Sequence, residues 1–96
     1  MYDIQKKEDA IRMTQSFLLE VSYMDDDIPH VSVDGIYGER TRRAIRIFQR
    51  KKGITETGRT DFETWQALYD AYMDAFEYNE KERRRVSQHT KEDDMP

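Results

Sequence analysis

The stretch Asp34-Gly35-Ile36-Tyr37-Gly38-Glu39-Arg40-Thr41-Arg42-Arg43-Ala44-Ile45 decides the fold of this 96-residue chain, because its pattern occurs a second time. The second copy is Thr57-Gly58-Arg59-Thr60-Asp61-Phe62-Glu63-Thr64-Trp65-Gln66-Ala67-Leu68. Each copy is typical of a glycine turn, a helix start and an apolar helix face. An internal repeat constrains the whole architecture. The sequence therefore predicts two equivalent turn–helix units packed on each other and closed by an N-terminal helix.

The spacing of apolar residues predicts where the three helices lie. The first covers about Lys6 to Tyr23 and stops before the acidic run and proline at 25–29. The second covers about Glu39 to Lys52 and ends at Gly53. The third starts at Asp61, a good N-cap, and continues to about Arg85 because no glycine or proline intervenes.

These helices define the predicted fold class and domain organisation. The class is all-α: a compact three-helix bundle with two glycine-bearing loops and an extended third helix. Residues 5–73 form the domain, 74–86 a helical extension of it, and 87–96 a polar, disordered C-terminal tail. Ninety-six residues are enough for one small domain with a modest core.

Charge is unevenly placed along the chain. The net charge is −5 over residues 1–38, +6 over 39–59 and −5 over 60–96. Mutual neutralisation between packed helices explains this pattern, and so does a basic face for an anionic partner. Nucleic-acid binding through the basic second helix is disfavoured by the overall charge of −4 and by the acidic flanks.

Several classes of protein are excluded by what the sequence lacks. It contains no cysteine, so it offers no disulfide or thiolate nucleophile. No segment approaches the roughly 18 apolar residues of a membrane span, and Met1–Glu8 does not resemble a signal peptide. His30 and His89 lie far apart, and the acids at 25–27 lie in a solvated loop, so neither a metal centre nor an acid–base pair is predicted. We therefore expect no enzyme activity and no cofactor.

The segment Val33–Ile54 strongly resembles the bacterial peptidoglycan-binding domain family. It fills every fixed place of the family pattern D-G-x-x-G-x-x-T-x-x-A-[VI]-x-x-F-Q-x-x-x-G-[LI]. Thr57-Gly58 and Thr64–Leu68 resemble the second turn and helix of the family, and the likeness covers about Lys6 to Tyr69. The chain departs from the family pattern at three positions, Ser22, Glu39 and Asp61. In addition, the loop at 24–32 looks longer than is usual in the family.

The resemblance implies a noncatalytic module that binds peptidoglycan or its stem peptide. Such modules accompany cell-wall hydrolases, so the implied role is targeting a hydrolase or a spore or wall protein to its substrate. The implied location is the cell wall, the spore or the extracellular space. The alternative is a protein-interaction or spacer domain of the same fold without glycan affinity.

Six residues are the candidate ligand contacts, each with a structural alternative. Tyr37 stands between two glycines, where it either stacks on a ligand or seals the end of the bundle. Trp65 either belongs to the core or lies at the floor of a sugar groove, and Gln49 either contacts ligand or ties helix two to a loop. The arginines of helix two, Arg40 among them, either anchor an anionic ligand or form a solvated helix face paired with acidic residues. The full set is Asp34, Tyr37, Arg40, Thr41, Gln49 and Trp65.

Two further expectations concern glycines and aromatics. Gly35, Gly38 and Gly58 are predicted to supply positive φ or close backbone approach. Aromatic side chains continue along helix three beyond what a three-helix core covers, and exposed aromatics at this spacing favour a second copy or a neighbouring domain. Self-association is expected through Tyr72, Met73 and Phe76.

Overall fold

The computed structural model describes residues 2–94, with side chains for residues 7–85, and the described chain is helical throughout apart from two loops. The helices are α1 (Tyr2–Met24), α2 (Glu39–Lys52) and α3 (Phe62–Asp94). The all-α prediction is confirmed, and residues 2–94 contain no strand. The loops at 25–38 and 53–61 carry the glycines of the repeated motif.

The ends of α2 and the start of α3 form as the sequence predicts. Gly53 adopts φ 71°, and its N–H donates to the carbonyl of Arg50 while the N–H of Ile54 donates to that of Gln49. These bonds satisfy the last carbonyls of α2. Asp61 caps α3, because its Oδ1 accepts the backbone N–H of Thr64 at 3.0 Å.

The outer ends of α1 and α3 extend further than predicted. α1 begins at Tyr2 rather than near Lys6, and the backbone of α3 stays helical through Asp94 rather than ending near Arg85. Ion pairs at helical spacing, such as Glu77–Lys81 and Glu82–Arg85, support the turns of α3 that lead up to Arg85. The predicted tail covers residues 87–96, whose side chains lie outside the described part of the structure. Residues 95–96 lie outside it entirely. The boundary between the helical extension and the tail therefore stays a prediction.

The core lies where α1 and α3 pack together and α2 closes over them. α1 and α3 run in the same direction, since Ala10 and Phe62 line one cavity near their starts and Asn79 donates to the carbonyl of Glu20 near the end of α1. Phe48 of α2 is buried at the centre, as predicted. The buried apolar set is Leu18, Val21, Ile28, Val31, Ala44, Ile45, Phe48, Leu68, Ala71 and Ala75.

The rotation of α3 differs from the simple apolar stripe in its sequence. Ala71 and Ala75 are buried, whereas Tyr69, Met73 and Phe76 are 45 %, 48 % and 43 % exposed. Small alanines allow α1 to approach closely, so the larger rings are left at the edge of the contact. The expectation that the bundle would leave this stripe uncovered therefore holds for Tyr69, Met73 and Phe76. It was wrong for Tyr72, which is half-buried and stacks on Phe17 with ring centroids 4.2 Å apart.

The glycine predictions hold for two positions and fail for a third. Gly35 and Gly58 have φ of 79° and 73°, and a Cβ at Gly58 would lie 3.1 Å from Nε of Arg46. Gly38 instead has φ −101° and ψ −165°, and a Cβ there would meet nothing within 4 Å. The prediction for Gly38 was wrong because this residue is the extended N-cap of α2, a conformation that any residue adopts.

Candidate functional site

A buried glutamine holds the first glycine turn against α1. Gln15 is 1 % exposed, and its Oε1 accepts the backbone N–H groups of Asp34 and Gly35 at 3.0 and 2.9 Å. Its Nε2 donates to the carbonyl of Ile36 at 2.9 Å and to Oγ1 of Thr41 at 3.1 Å. One side chain thus joins α1, the turn and the first turn of α2.

A second glutamine repeats this arrangement one unit later. Gln49 is fully buried, and its Oε1 accepts the N–H of Gly58 at 3.0 Å. Its Nε2 lies within hydrogen-bond distance of the Arg59 carbonyl at 3.0 Å and of Thr64 Oγ1 at 2.9 Å. Each glycine turn is therefore fastened by the glutamine of the preceding helix and by the threonine of the following one, an arrangement that we call a glutamine clamp. The two repeats share a hydrogen-bonding scheme as well as a sequence pattern.

Tyr37 joins the two glycine turns directly. Its hydroxyl donates to the carbonyl of Gly58 at 2.8 Å and lies 3.1 Å from Oγ1 of Thr60. Thr60 is the residue that aligns with Tyr37 in the second repeat, so equivalent positions of the two units meet. The ring itself is half-buried against the core, and the guanidinium carbon of Arg42 lies 5.7 Å from its centroid.

An open groove of about 970 Å³ lies beside Tyr37. One wall is the first half of α1, and the other is formed by the second glycine turn and the start of α3. Trp65 is half-buried, and it both lines the groove and stacks on Phe17 with ring centroids 5.3 Å apart. The lining residues are Lys7, Asp9, Ala10, Ile11, Met13, Thr14, Tyr37, Arg42, Arg59, Thr60, Asp61, Phe62 and Trp65.

The groove combines aromatic rings with charges of both signs. Rings come from Tyr37, Phe62 and Trp65, and the cationic groups come mainly from Arg42 and Arg59. Aromatic surface packs well on apolar ligand faces, and guanidinium groups pair with carboxylates. This arrangement suits a ligand that presents an apolar face together with negative charge.

Asp61 places a fixed negative charge at one end of the groove. Hydrogen bonds from Thr64, from its side chain first and its backbone N–H second, hold the pKa of Asp61 below its ordinary value. The carboxylate is therefore ionised at neutral pH. Because it already accepts bonds from Thr64, its role in capping α3 is established in the structure independently of any ligand.

The six predicted contacts occupy three kinds of place. Tyr37 and Trp65 line the groove. Thr41 and Gln49 are buried and bonded within the clamps, which favours the structural alternative stated for Gln49. Asp34 is exposed, and its Oδ1 accepts the N–H of Ile36 at 2.9 Å and that of Gln15 Nε2 at 3.0 Å; Arg40 is exposed on α2 and does not line the groove.

The basic middle of the chain is partly neutralised by its neighbours. Lys51 bridges Asp25 and Asp27, with N–O distances of 2.9 and 2.7 Å. Arg50 pairs with Glu56 at 3.0 Å. Mutual neutralisation thus explains part of the charge pattern, whereas Arg42 and Arg59 line the groove instead.

Sequence reasoning missed Arg59, Phe62 and the contribution of α1. Phe62 is 78 % exposed directly after an N-cap, a position where no packing requirement calls for an aromatic residue. That mismatch was the available signal. Arg59 follows the second glycine at the position that Ile36 occupies after the first. A charged residue where the other repeat has an apolar one was the signal available for Arg59. Lys7 and Met13 carried no such signal.

A metal centre and a membrane span are both absent from the described part of the chain. Within it, no group of three or more His, Cys, Asp or Glu residues is arranged to hold a metal ion. None of the helices in that part has the length and apolar character needed to cross a membrane.

One comparison with known proteins gives a match. The family model described as "Putative peptidoglycan binding domain" matches residues 7–68, which contain both glycine turns, both glutamine clamps and every residue that lines the groove. No curated protein and no solved structure matches the chain.

Proposed function

The chain belongs to the peptidoglycan-binding domain family, and from that premise we propose that the groove beside Tyr37 binds peptidoglycan of the bacterial cell wall. The family is one of noncatalytic binding domains associated with the wall. The observation that carries the proposal is the groove itself. It places three rings and two arginines around one open hollow, and all five residues lie within the matched segment.

Each part of the groove suits a part of the polymer. The rings of Tyr37 and Trp65 provide surface for the apolar faces of sugars. Arg42 and Arg59 provide bidentate donors for the carboxylates of a stem peptide. The stem peptide is thus the proposed source of charge recognition, and the glycan the proposed source of apolar contact.

The proposed role is to hold an attached or associated wall hydrolase, or a spore or wall protein, at its substrate. A binding module achieves this by raising the local concentration of its cargo near the polymer. The second candidate is a protein-interaction or spacer domain of the same fold. The exposed rings of α3 favour it, since exposed aromatic side chains at helical spacing suit a protein partner.

Co-sedimentation with insoluble peptidoglycan tests the proposal. We expect the wild-type chain to be retained and Arg42→Ala to bind about tenfold more weakly, because one charge-assisted hydrogen bond is lost. The matched control is Arg43→Ala, which removes an exposed arginine from the same helix but not from the groove. Both variants should unfold at the wild-type temperature.

Chitin, an acetylated glycan without stem peptides, separates the two sources of affinity. We expect weaker retention on chitin and a much smaller difference between Arg42→Ala and the wild type. Absence of retention on peptidoglycan at tens of micromolar protein would contradict the proposed function. Equal losses for the Arg42 and Arg43 variants would contradict the groove as the site.

A further inference from the structure

The second glycine turn carries a base and an acid that the first turn lacks. Arg59 and Asp61 lie two residues apart in the second repeat, where the first repeat has Ile36 and Gly38. The first turn is fastened by its own glutamine clamp without either charge. The clamp therefore accounts for neither charge, and the cap of α3 accounts only for Asp61.

The backbone that carries these two charges is held in place by hydrogen bonds. The N–H of Arg59 donates to Oγ1 of Thr57 at 3.1 Å, and the carbonyl of Arg59 accepts Nε2 of Gln49 at 3.0 Å. Asp61 accepts the N–H of Thr64 at 3.0 Å. Both side chains thus leave a segment whose position is set by the fold itself, which lowers the cost of ordering the site when a ligand binds.

Arg59 and Asp61 do not neutralise each other. Both line the groove, and both are exposed. Among residues 7–85, neither forms an ion pair within 4.0 Å, whereas Arg46 and Arg50 of α2 both do. Hydrogen bonds from Thr64 do most to lower the pKa of Asp61, and the charge of Arg59 lowers it further. The two groups are therefore within electrostatic reach of each other without being in contact.

The spacing of the two charges suits a ligand group that carries both signs. Residues two apart in a chain have Cα atoms no more than about 7 Å apart. A carbon atom that bears both an ammonium and a carboxylate can reach both side chains, since each hydrogen bond adds about 3 Å. The carboxylate of Asp61 has acceptor sites beyond those that Thr64 uses, and the guanidinium of Arg59 can bind a carboxylate through two parallel bonds.

We propose that Arg59 and Asp61 together bind a zwitterionic branch of the stem peptide, a side chain that ends in one carbon bearing both an ammonium and a carboxylate. Arg59 donates to the carboxylate, and Asp61 accepts from the ammonium. The inference rests on the proposed function and adds to it the class of stem peptide that the groove selects. Tyr37 and Trp65 remain available for the sugars, and Arg42 for another carboxylate of the peptide.

This arrangement distinguishes two classes of stem peptide. In one class the diamino acid of the peptide ends its side chain in an amine alone, as lysine does. In the other class the amine shares its carbon with a carboxylate. A lysine-type peptide leaves Arg59 without an acceptor, and so does a peptide whose carboxylate is converted to an amide. Selectivity then arises from the interaction that the wrong ligand fails to make.

Isothermal titration of the full chain with soluble muropeptides tests the selectivity. Four muropeptides that differ only at this side chain are compared: the free zwitterion, its carboxamide, its N-acetyl derivative and the lysine form. We expect the zwitterion to bind about tenfold more tightly than each of the other three, because each of them lacks one charge-assisted interaction.

Two variants assign the two halves of the zwitterion. Arg59→Gln should bind the zwitterion and the carboxamide equally while still preferring the free amine to the N-acetyl form. Asp61→Asn should show the reverse, and asparagine keeps an acceptor for the cap of α3. The matched control is Asp70→Asn, which changes an exposed acid of α3 outside the groove and should keep every wild-type preference. A purely structural role of either residue would weaken all four ligands alike.

The outcomes separate this inference from the proposed function. Equal binding of all four muropeptides by the wild type would overturn the inference, and so would an Arg59→Gln protein that still prefers the carboxylate. Retention on insoluble peptidoglycan without binding of any muropeptide up to about 1 mM would also overturn it, while the proposed function stands. Loss of retention on insoluble peptidoglycan as well would contradict the proposed function itself.

Discussion

Gln15 and Gln49 show at the residue scale how a polar side chain specifies a turn. Each is buried, and each satisfies backbone groups that the glycine turn leaves without partners. A buried amide that is fully bonded contributes specificity, whereas the loss of such an amide leaves several buried groups unpaired. Among residues 7–85, no buried side-chain nitrogen or oxygen lacks a hydrogen-bond partner.

Gln49→Ala should destabilise the fold by about 2–4 kcal/mol, because it strands the N–H of Gly58, removes the donor to the Oγ1 of Thr64 and leaves a cavity. Urea unfolding followed by circular dichroism measures the change. Gln66→Ala is the control, since Gln66 is exposed on α3 and should change stability by less than about 0.5 kcal/mol. Equal effects of the two substitutions would contradict the clamp.

At the scale of the element, the two repeated helix starts differ in their caps. Asp61 caps α3 with its carboxylate, whereas the equivalent residue of the first repeat, Gly38, gives α2 no side-chain cap. Gly38 already has the extended conformation of an N-cap residue, and a Cβ there has open space. The first repeat therefore lacks an interaction that its backbone is ready to make.

Gly38→Asp should raise the free energy of unfolding by about 0.5–1 kcal/mol, because a carboxylate can then accept an unpaired N–H of the first turn of α2 and interact with the helix dipole. Thermal unfolding at neutral pH measures the gain. Gly38→Ala adds the Cβ without the acceptor and should give none. A Gly38→Asp protein no more stable than the alanine variant would show that the cap does not form.

At the scale of the whole molecule, carboxylates hold the loops to the helices. A backbone hydrogen bond from Ile36, followed by one from the Gln15 side chain, lowers the pKa of Asp34. Hydrogen bonds from Thr64 lower the pKa of Asp61, and one from Arg50 lowers that of Glu56. A group whose pKa is lower in the folded state stabilises that state above its unfolded pKa, and the stabilisation is lost as pH falls through the folded value.

The melting temperature should therefore hold above about pH 5 and fall as the pH drops below about 4, where unfolded carboxyls begin to take up protons. Differential scanning calorimetry from pH 7 to pH 2.5 measures this. Asp61→Asn keeps a capping acceptor that does not titrate, so its acid slope should be shallower. A melting temperature that rises on acidification would contradict the assignment.

The architecture was predictable because its signals are local. The bounds of α2, the cap at Asp61 and the stop at Gly53 depend on residues within one or two helical turns, and the structure has them where the pattern puts them. The repeated glycine–threonine spacing predicted two equivalent units. It also predicted Tyr37 and Trp65 as candidates for a site, and both line the groove.

The groove as a whole was not predictable, because it is assembled from three segments that are distant in the chain. Lys7, Arg59 and Phe62 become neighbours only when α1 packs beside α3. The buried positions of Thr41 and Gln49 likewise depend on how closely the two turns approach their helices.

By itself, the sequence determined that three helices form, where two of them start, and that two glycine turns are equivalent, since these features follow from backbone propensities and side-chain periodicity. Only the tertiary structure decided which face of α3 turns inward. Periodicity places Tyr69, Met73 and Phe76 on a common face, but the close fit of Ala71 and Ala75 against the rest of the bundle sets the rotation of the helix. The larger rings are left outside because burying them would force α1 and α3 apart and lose the contact of the whole core.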